Sequence, residues 1–222
     1  MDKKNLGGDS IAAWVATVQQ QRAIAVIRSP NLGLGRRMAE AVIAGGLSLI
    51  EVTWSSVEPV RLIEDLRQRH PHCWIGAGTL LTQQDMQDAI AAGSQFLFSP
   101  HVNPDLIAQA VSQAIPVIPG ALTPTEIVTA WQAGATCIKV FPIQAVGGAE
   151  YIRSLQGPLG QIPLIPTGGV TLDNARRMLD AGAIAVGLSG QLFPKEAIAQ
   201  QDWGQITERV RCLMQRLHSP IA

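Results

Sequence analysis

The segment Ala133-Gly134-Ala135-Thr136-Cys137-Ile138-Lys139-Val140-Phe141-Pro142 joins the end of a helical pattern to a short apolar run. A glycine just past the last periodic residue takes the left-handed conformation that stops a helix and turns the chain. The run behind it is apolar, partly β-branched and too short for a helix, so it reads as a strand buried on both faces, as in a parallel sheet. The same step recurs at Ala44-Gly45, Ala92-Gly93 and Ala181-Gly182, each time just ahead of another apolar run. All four glycines are therefore expected to be left-handed helix caps.

Eight runs of this kind are present: Ala23–Arg28, Ser48–Thr53, Cys73–Gly78, Gln95–Ser99, Pro116–Gly120, Thr136–Phe141, Ile162–Thr167 and Ile184–Ser189. Helical periodicity fills most of the intervals, over Leu34–Ala44, Pro59–Arg69, Gln83–Ala92, Pro104–Gln113, Thr125–Ala133 and Leu172–Ala181. Thr82, Asn103, Thr123 and Thr171 stand ahead of four of these patterns as capping residues. Strand–helix alternation demands parallel strands with right-handed crossovers. Eight such units close into a (β/α)8 barrel. An open doubly wound sheet is the competing layout, but it carries a glycine-rich nucleotide turn after its first strand. Ser29-Pro30-Asn31-Leu32-Gly33 does not match one. Ser10 to Val18 predicts a preliminary helix over the N-terminal end of the barrel, and Asp202–Leu217 a closing helix. The expected fold is α/β, a (β/α)8 TIM barrel with an extra N-terminal helix, formed by residues 1–222 as a single domain.

With 222 residues, 47% of them hydrophobic, the chain can bury one large core. Seventeen basic residues balance seventeen acidic ones. That balance argues against a nucleic-acid partner and leaves room for a local phosphate site. Cys73, Cys137 and Cys212 show no paired spacing, so reduced thiols in a cytosolic protein are expected. Met1 to Gly8 lacks a signal core. No apolar stretch approaches the ~20 residues that cross a bilayer. A soluble, cytoplasmic protein without a membrane partner is the expectation.

Within this frame Lys139 stands out. A lysine inside a buried strand needs a partner or a function, because burying an ammonium is costly. Alternation along the strand puts Cys137, Lys139 and Phe141 on one face and Ile138 and Val140 on the other; likewise Glu51 and Thr53 oppose Ile50 and Val52. The apolar sets suit the helix-facing side, which leaves Lys139 and Glu51 pointing into the barrel. A lysine in such a pocket forms Schiff bases with carbonyl substrates, and a nearby carboxylate can move protons. A structural ion pair is the plainer alternative.

Catalytic groups of such barrels lie at strand C-termini, where Arg28, Glu51, Thr79, Lys139, Thr167 and Ser189 all fall. Pro166-Thr167-Gly168-Gly169 ends the seventh strand and Gly187-Leu188-Ser189-Gly190 the eighth. Loops in those two units commonly bind phosphate through backbone N–H groups and a helix N-terminus, although a Gly-Gly pair alone can be a tight turn. Gly76-Ala77-Gly78-Thr79 closes the third strand and is either a ligand approach or a simple turn. His70 and His72 fall at the opposite end, and no metal-ligand spacing appears. His101 follows the fourth strand at the catalytic end and is a candidate for touching substrate. Trp54 reads as loop packing or a pocket wall.

Taken in order, Glu51-Val52-Thr53, Gly76-Ala77-Gly78-Thr79, Ser99-Pro100, Ile118-Pro119-Gly120, Lys139-Val140-Phe141-Pro142 and Pro166-Thr167-Gly168-Gly169 resemble the 2-keto-3-deoxy-6-phosphogluconate aldolases. The resemblance runs from about Ala23 to Pro194. It implies a class I aldolase, usually a homotrimer, with Lys139 as the Schiff-base lysine and Glu51 as the proton-transfer residue. It further implies Thr79 at the substrate carboxylate, and Gly168, Gly169, Gly187 and Ser189 at the phosphate, Thr167 belonging to the same loop. The substrates so implied are a phosphorylated keto acid and pyruvate, with no metal or organic cofactor. Gluconate-type members often carry an arginine two residues after the Glu-Val-Thr motif, where this chain has Ser55. Ala25-Val26-Ile27-Arg28 resembles the 6-phosphogalactonate-cleaving relatives, so Arg28 is assigned to the carboxylate. Cleavage of 4-hydroxy-2-oxoglutarate, a galactonate preference, a phosphate-binding isomerase or synthase, and a non-catalytic barrel binding a phosphorylated keto acid are the competing readings.

Overall fold

The computed structural model describes residues 3–219. Nineteen regular elements follow in order: α1 (Lys3–Gln21), β1 (Ala23–Ile27), α2 (Leu32–Ala44), β2 (Leu49–Thr53), α3 (Pro59–Arg69), β3 (Trp74–Gly78), α4 (Gln83–Ala91), β4 (Leu97–Phe98), α5 (Pro104–Ser112), β5 (Val117–Ile118), β6 (Gly120–Ala121), α6 (Pro124–Gln132), β7 (Ile138–Val140), α7 (Ala149–Leu159), β8 (Leu164–Pro166), α8 (Ala175–Asp180), β9 (Val186–Leu188), α9 (Lys195–Ala199) and α10 (Trp203–His218). Each of the eight apolar runs holds a strand. The fifth holds two, because Pro119 has no N–H to give to a ladder and splits it into β5 and β6.

Every strand pairing is parallel. A six-stranded sheet runs β5-β4-β3-β2-β1-β9 and a three-stranded sheet β6-β7-β8. On one side the two sheets are joined by the Thr136 N–H donating to Val117 O (2.9 Å) and the Lys139 N–H to Pro119 O (2.9 Å). On the other, Thr167 and Gly187 form an isolated parallel bridge, and the Ile184 N–H donates to Leu164 O (3.1 Å). The strands are buried almost throughout, with amphipathic helices packed outside them. This is an α/β fold with a parallel interior and a helical exterior.

The first element caps the N-terminal ends of the strands, as expected. Trp14 and Val18 of α1 are fully buried, and the Trp14 ring lies 5.5 Å from Phe96, just before β4. Gln21 accepts from the Ser48 N–H just before β2 (2.9 Å). At the other terminus Asp202 caps α10 by accepting from the Gln205 N–H (2.9 Å). Ile206, Val210, Leu213 and Leu217 then form its buried stripe.

Local chemistry accounts for the departures from the sequence reading. Gly93, Gly134 and Gly182 take the left-handed conformation (φ +87°, +98° and +109°), but at the first repeat Gly46 does so (φ +97°). Gly45 itself stays right-handed (φ −79°) and serves close packing: a Cβ there would lie 2.5 Å from Val210 Cβ and 2.9 Å from Thr207 O. Thr171 does not cap α8. It exchanges hydrogen bonds with Asn174 in a turn (2.8 and 3.1 Å), which delays the helix to Ala175. Helix α7 and the 3₁₀ turn Ile143–Val146 were hidden because Gly147 and Gly148 precede the helix and Gly157-Pro158 interrupts its last turn. Among the described residues no helix is long and apolar enough to cross a membrane.

The adjacent glycines at the end of α2 fail for different reasons when given a methyl group. Gly45→Ala forces α2 and α10 apart and is expected to cost about 1–3 kcal/mol by overpacking. Gly46→Ala meets open space and is expected to cost only about 1 kcal/mol, through its left-handed backbone. Urea unfolding of both variants checks the order; equal losses would refute the packing account.

Candidate active site

The C-terminal ends of the strands open onto a cavity of about 530 Å³. Arg28, Glu51, Thr79, Lys139, Thr167, Gly168, Gly169, Gly187 and Ser189 all line it, so every site residue expected from sequence is brought to one place. Lys139 sits at the centre of β7 between Ile138 and Val140, which are fully buried. It is 6% exposed, and its Nζ lies 5.0 Å from the Phe141 ring centroid and 5.8 Å from that of Phe98. Glu51 on β2 is 1% exposed, and its Oε1 has no hydrogen-bond partner.

These two charges do not form a structural ion pair. Salt bridges among the described residues join arginines to carboxylates on the helices and loops outside, and neither Lys139 nor Glu51 takes part in one. Burial pushes the Glu51 carboxyl above its ordinary range, with the charges of Lys139 and, less strongly, Arg28 pulling it back. A buried, unpartnered carboxyl facing a cavity can accept or deliver a proton to whatever occupies that cavity.

The space for Glu51 is made by glycine. A Cβ on Gly78 would lie 1.8 Å from Glu51 Oε1, and one on Gly76 would lie 2.4 Å from Phe96 O. Both glycines lie inside β3 rather than in a turn, which settles the plainer reading of this motif against itself. Thr79, the next residue, holds φ at +62°. That conformation is an outlier for a β-branched side chain, and strained residues of this kind concentrate at ligand sites.

Opposite this wall, Gly168 and Gly169 are both left-handed (φ +84° and +87°). The N–H groups of Gly169 and Val170 find no acceptor among the described residues. The loop is held from behind: the Ile143 N–H donates to Thr167 O (3.0 Å), the Gln144 N–H to Gly168 O (3.1 Å) and Asn174 Nδ2 to Gly169 O (3.0 Å). Successive free N–H groups in a turn make an anion-binding concavity. Because α8 starts only at Ala175, the loop backbone takes the place that the sequence reading gave to a helix N-terminus. Gly187 leaves room for Thr167, whose Oγ1 would lie 2.4 Å from a Cβ at that position.

Thr53, Pro100, Phe141, Thr171 and Gln191 also line the cavity and were not assigned to it from sequence. Alternation could have found two of them, since Thr53 shares a face with Glu51 and Phe141 with Lys139. Trp54 packs half-buried against the core, and neither it nor His101 lines the cavity. Ser55 donates its hydroxyl to Thr53 Oγ1 (3.2 Å). Among the described residues no group of three or more His, Cys, Asp or Glu side chains could hold a metal ion.

Residues 15–209 match the family model for KDPG and KHG aldolase. The 2-dehydro-3-deoxy-phosphogluconate aldolase of Treponema pallidum is 32% identical over 190 residues, covering 86% of this chain and 90% of its own. The KHG/KDPG aldolase of Escherichia coli K12 is 33% identical over 174 residues, covering 78% and 82%. Among solved structures, KDPG aldolase from Legionella pneumophila, with pyruvate captured as a covalent carbinolamine, superimposes with a TM-score of 0.84 at 31% identity, covering 90% of this chain and 97% of that one. A native KDPGal structure gives a TM-score of 0.80 at 28% identity, covering 87% and 93%. By sequence over most of its length and by fold, the chain belongs to the KDPG and KHG aldolase family.

Proposed function

We propose that this cavity cleaves a 2-keto-3-deoxy-6-phospho sugar acid reversibly to pyruvate and glyceraldehyde 3-phosphate, with Lys139 as nucleophile and Glu51 as proton carrier. As a member of its family the protein is a lyase, a class I aldolase acting on phosphorylated keto acids. The observation that carries the residue assignment is the pair of buried, unpaired charges, Lys139 and Glu51, facing one cavity.

The free amine of Lys139 attacks the C2 carbonyl, and loss of water gives an imine. The protonated imine accepts the electron pair released when the C3–C4 bond breaks. Glu51 takes the C4 hydroxyl proton, directly or through water, so the aldehyde leaves and an enamine of pyruvate stays on Lys139. Returning the proton to C3 and hydrolysing the imine frees pyruvate. The covalent imine is the electron sink, so the route calls for no metal or organic cofactor. Arg28 and Thr79 are assigned to the carboxylate, and Thr167, Gly168, Gly169, Gly187 and Ser189 to the phosphate. Ser55 brings no cation to the end of β2, which leaves Arg28 to supply that charge and favours the galactonate-type variant as the second reading.

Two finer readings belong here. The two sheets are arcs of one closed (β/α)8 barrel, a reading supported by the Thr167–Gly187 bridge on one side and the Lys139–Pro119 bond on the other. A crystal structure with an open seam between β8 and β9 would refute it. The enzyme works as a homotrimer, a reading supported by family resemblance; native mass spectrometry should give about three times the 23.7 kDa chain mass, and a lone monomer would refute it.

Incubation with pyruvate and borohydride, read by intact mass, should give a stable adduct in the wild type and none in Lys139→Ala, with the same yield in EDTA. A folded wild type without adduct refutes the mechanism. Glu51→Gln should slow cleavage by about 10²–10⁴-fold while leaving the Lys139 adduct trappable. The same substitution should raise Tm at neutral pH. Below the ordinary Glu value of 4.5 the carboxyl is protonated folded and unfolded alike; above it, folding must hold on to a proton that the open chain releases. The gain should therefore grow as pH rises from 4.5 and vanish below it; a gain independent of pH would mean that the Glu51 carboxyl is not raised.

A further inference from the structure

We propose that Thr53 is a directed hydrogen-bond donor to the carboxylate of the keto-acid substrate, held in that role by the hydroxyls of Ser55 and Ser56; this deepens the aldolase reading and rests on it. The assignment follows from counting protons. Ser56 is buried, and its oxygen accepts from the Ser29 N–H (3.1 Å). Its own proton has one neighbour to go to among the described residues, Thr53 Oγ1 at 3.3 Å. A buried hydroxyl left without an acceptor costs more than a hydrogen bond returns, so Ser56 donates to Thr53. Ser55 donates to the same oxygen from 3.2 Å. The two acceptor sites of the Thr53 hydroxyl are then filled, and its one remaining capacity is to donate. No other hydrogen-bond partner of Thr53 Oγ1 is found among the described residues, and Thr53 lines the cavity, so that proton is assigned an acceptor there.

Strand register says to what. Thr53 pairs with Gly78 of β3, next to Thr79. On the other side Ile27 of β1 pairs with Val52, which brings Arg28 level with Thr53. Arg28 and Thr53 thus stand level on neighbouring strand ends, with Thr79 one residue beyond that level on the third and the Glu51 carboxyl in the space left by Gly78. A cation beside a directed hydroxyl donor suits an anion close to the reacting carbon, and in a 2-keto acid that anion is the carboxylate. It is bonded to the carbon that Lys139 attacks, so a donor fixed at this level also fixes the carbonyl over the amine. Ser55 and Ser56 are positioning residues that act through Thr53.

The test measures, for the full-length protein, the pyruvate concentration giving half-maximal borohydride trapping on the Lys139 peptide, with acetaldehyde as an imine-forming probe that lacks a carboxylate. Thr53→Val should need at least ~10-fold more pyruvate at unchanged plateau, as expected for losing a hydrogen bond to a charged group. Thr53→Ser should restore near-wild-type affinity, and Ser55→Ala should fall between. Trapping by acetaldehyde should be the same in wild type and Thr53→Val. Unchanged pyruvate dependence in Thr53→Val overturns the proposal, as does equal weakening toward acetaldehyde. Should Thr53→Val melt before it can be assayed, Ser55→Ala decides, since its side chain lies at the surface: unchanged pyruvate affinity there overturns the proposal. A folded wild type that traps no pyruvate at all overturns the aldolase reading itself, a different result from one in which only the variants match the wild type.

Discussion

A carboxylate sealed among parallel strands with no partner of its own is the constraint around which this molecule is arranged. Ionised and isolated, it would cost several kcal/mol. Three features bear that cost. Gly78 gives up its side chain so that the carboxylate has somewhere to sit. Lys139 and Arg28 lower the charge penalty from a distance without closing a salt bridge. Around them a core running from Trp14 in α1 to Leu217 in α10 supplies the apolar burial against which a strained site can be held. A closed ion pair would have been cheaper to fold. It would also have occupied the two charged groups that face the cavity and carry the proposed mechanism.

The opposite wall works by a different principle. Arg28 and Lys139 are the two cationic side chains that line the cavity, while the Gly168-Gly169 loop presents peptide N–H groups. On the proposed assignment the phosphate would meet those N–H groups rather than a side-chain cation. That choice suits a chain with no net formal charge. It also explains why the loop is buttressed from outside by Ile143, Gln144 and Asn174: a receptor built of backbone has no rotamers to adjust, so its supports must hold the geometry. The 3₁₀ turn after β7 thereby couples the strand that carries Lys139 to the Gly168-Gly169 loop.

How far these features could be read in advance depended on their physical range. Strand positions and the inward face of Glu51 and Lys139 follow from period-two alternation and local turn chemistry, and they were legible. The left-handed turn at Gly168-Gly169 was legible because adjacent glycines at a strand end admit that backbone freely. Gly45 was misread because its role is set by Val210, a residue far along the chain, and no local pattern announces a tertiary contact. Sequence alone leaves Gly76 and Gly78 between a ligand approach and a turn for the same reason: what they avoid is Phe96, just before β4, and Glu51 on β2. Thr53 was visible as the companion of Glu51, but the direction of its proton depends on Ser29, Ser55 and Ser56 together. Hydrogen-bond bookkeeping needs coordinates.

The proposed nucleophile, Lys139, has a chemical competitor on its own strand. Two residues before Lys139, on the same face of its strand, lies Cys137, and a thiolate is by nature a better nucleophile than an amine. Burial pushes the Cys137 thiol up to about 12, so at neutral pH it stays protonated and fills space beneath the lysine as a small apolar group. Lys139, one layer nearer the opening, keeps contact with the cavity. Depth therefore decides the chemistry. A thiol at the level of the amine would give dead-end adducts with keto acids, whereas an amine forms an imine that both stabilises the carbanion and hydrolyses. The same burial that silences Cys137 leaves Lys139 as the group that a carbonyl carbon entering this cavity can reach.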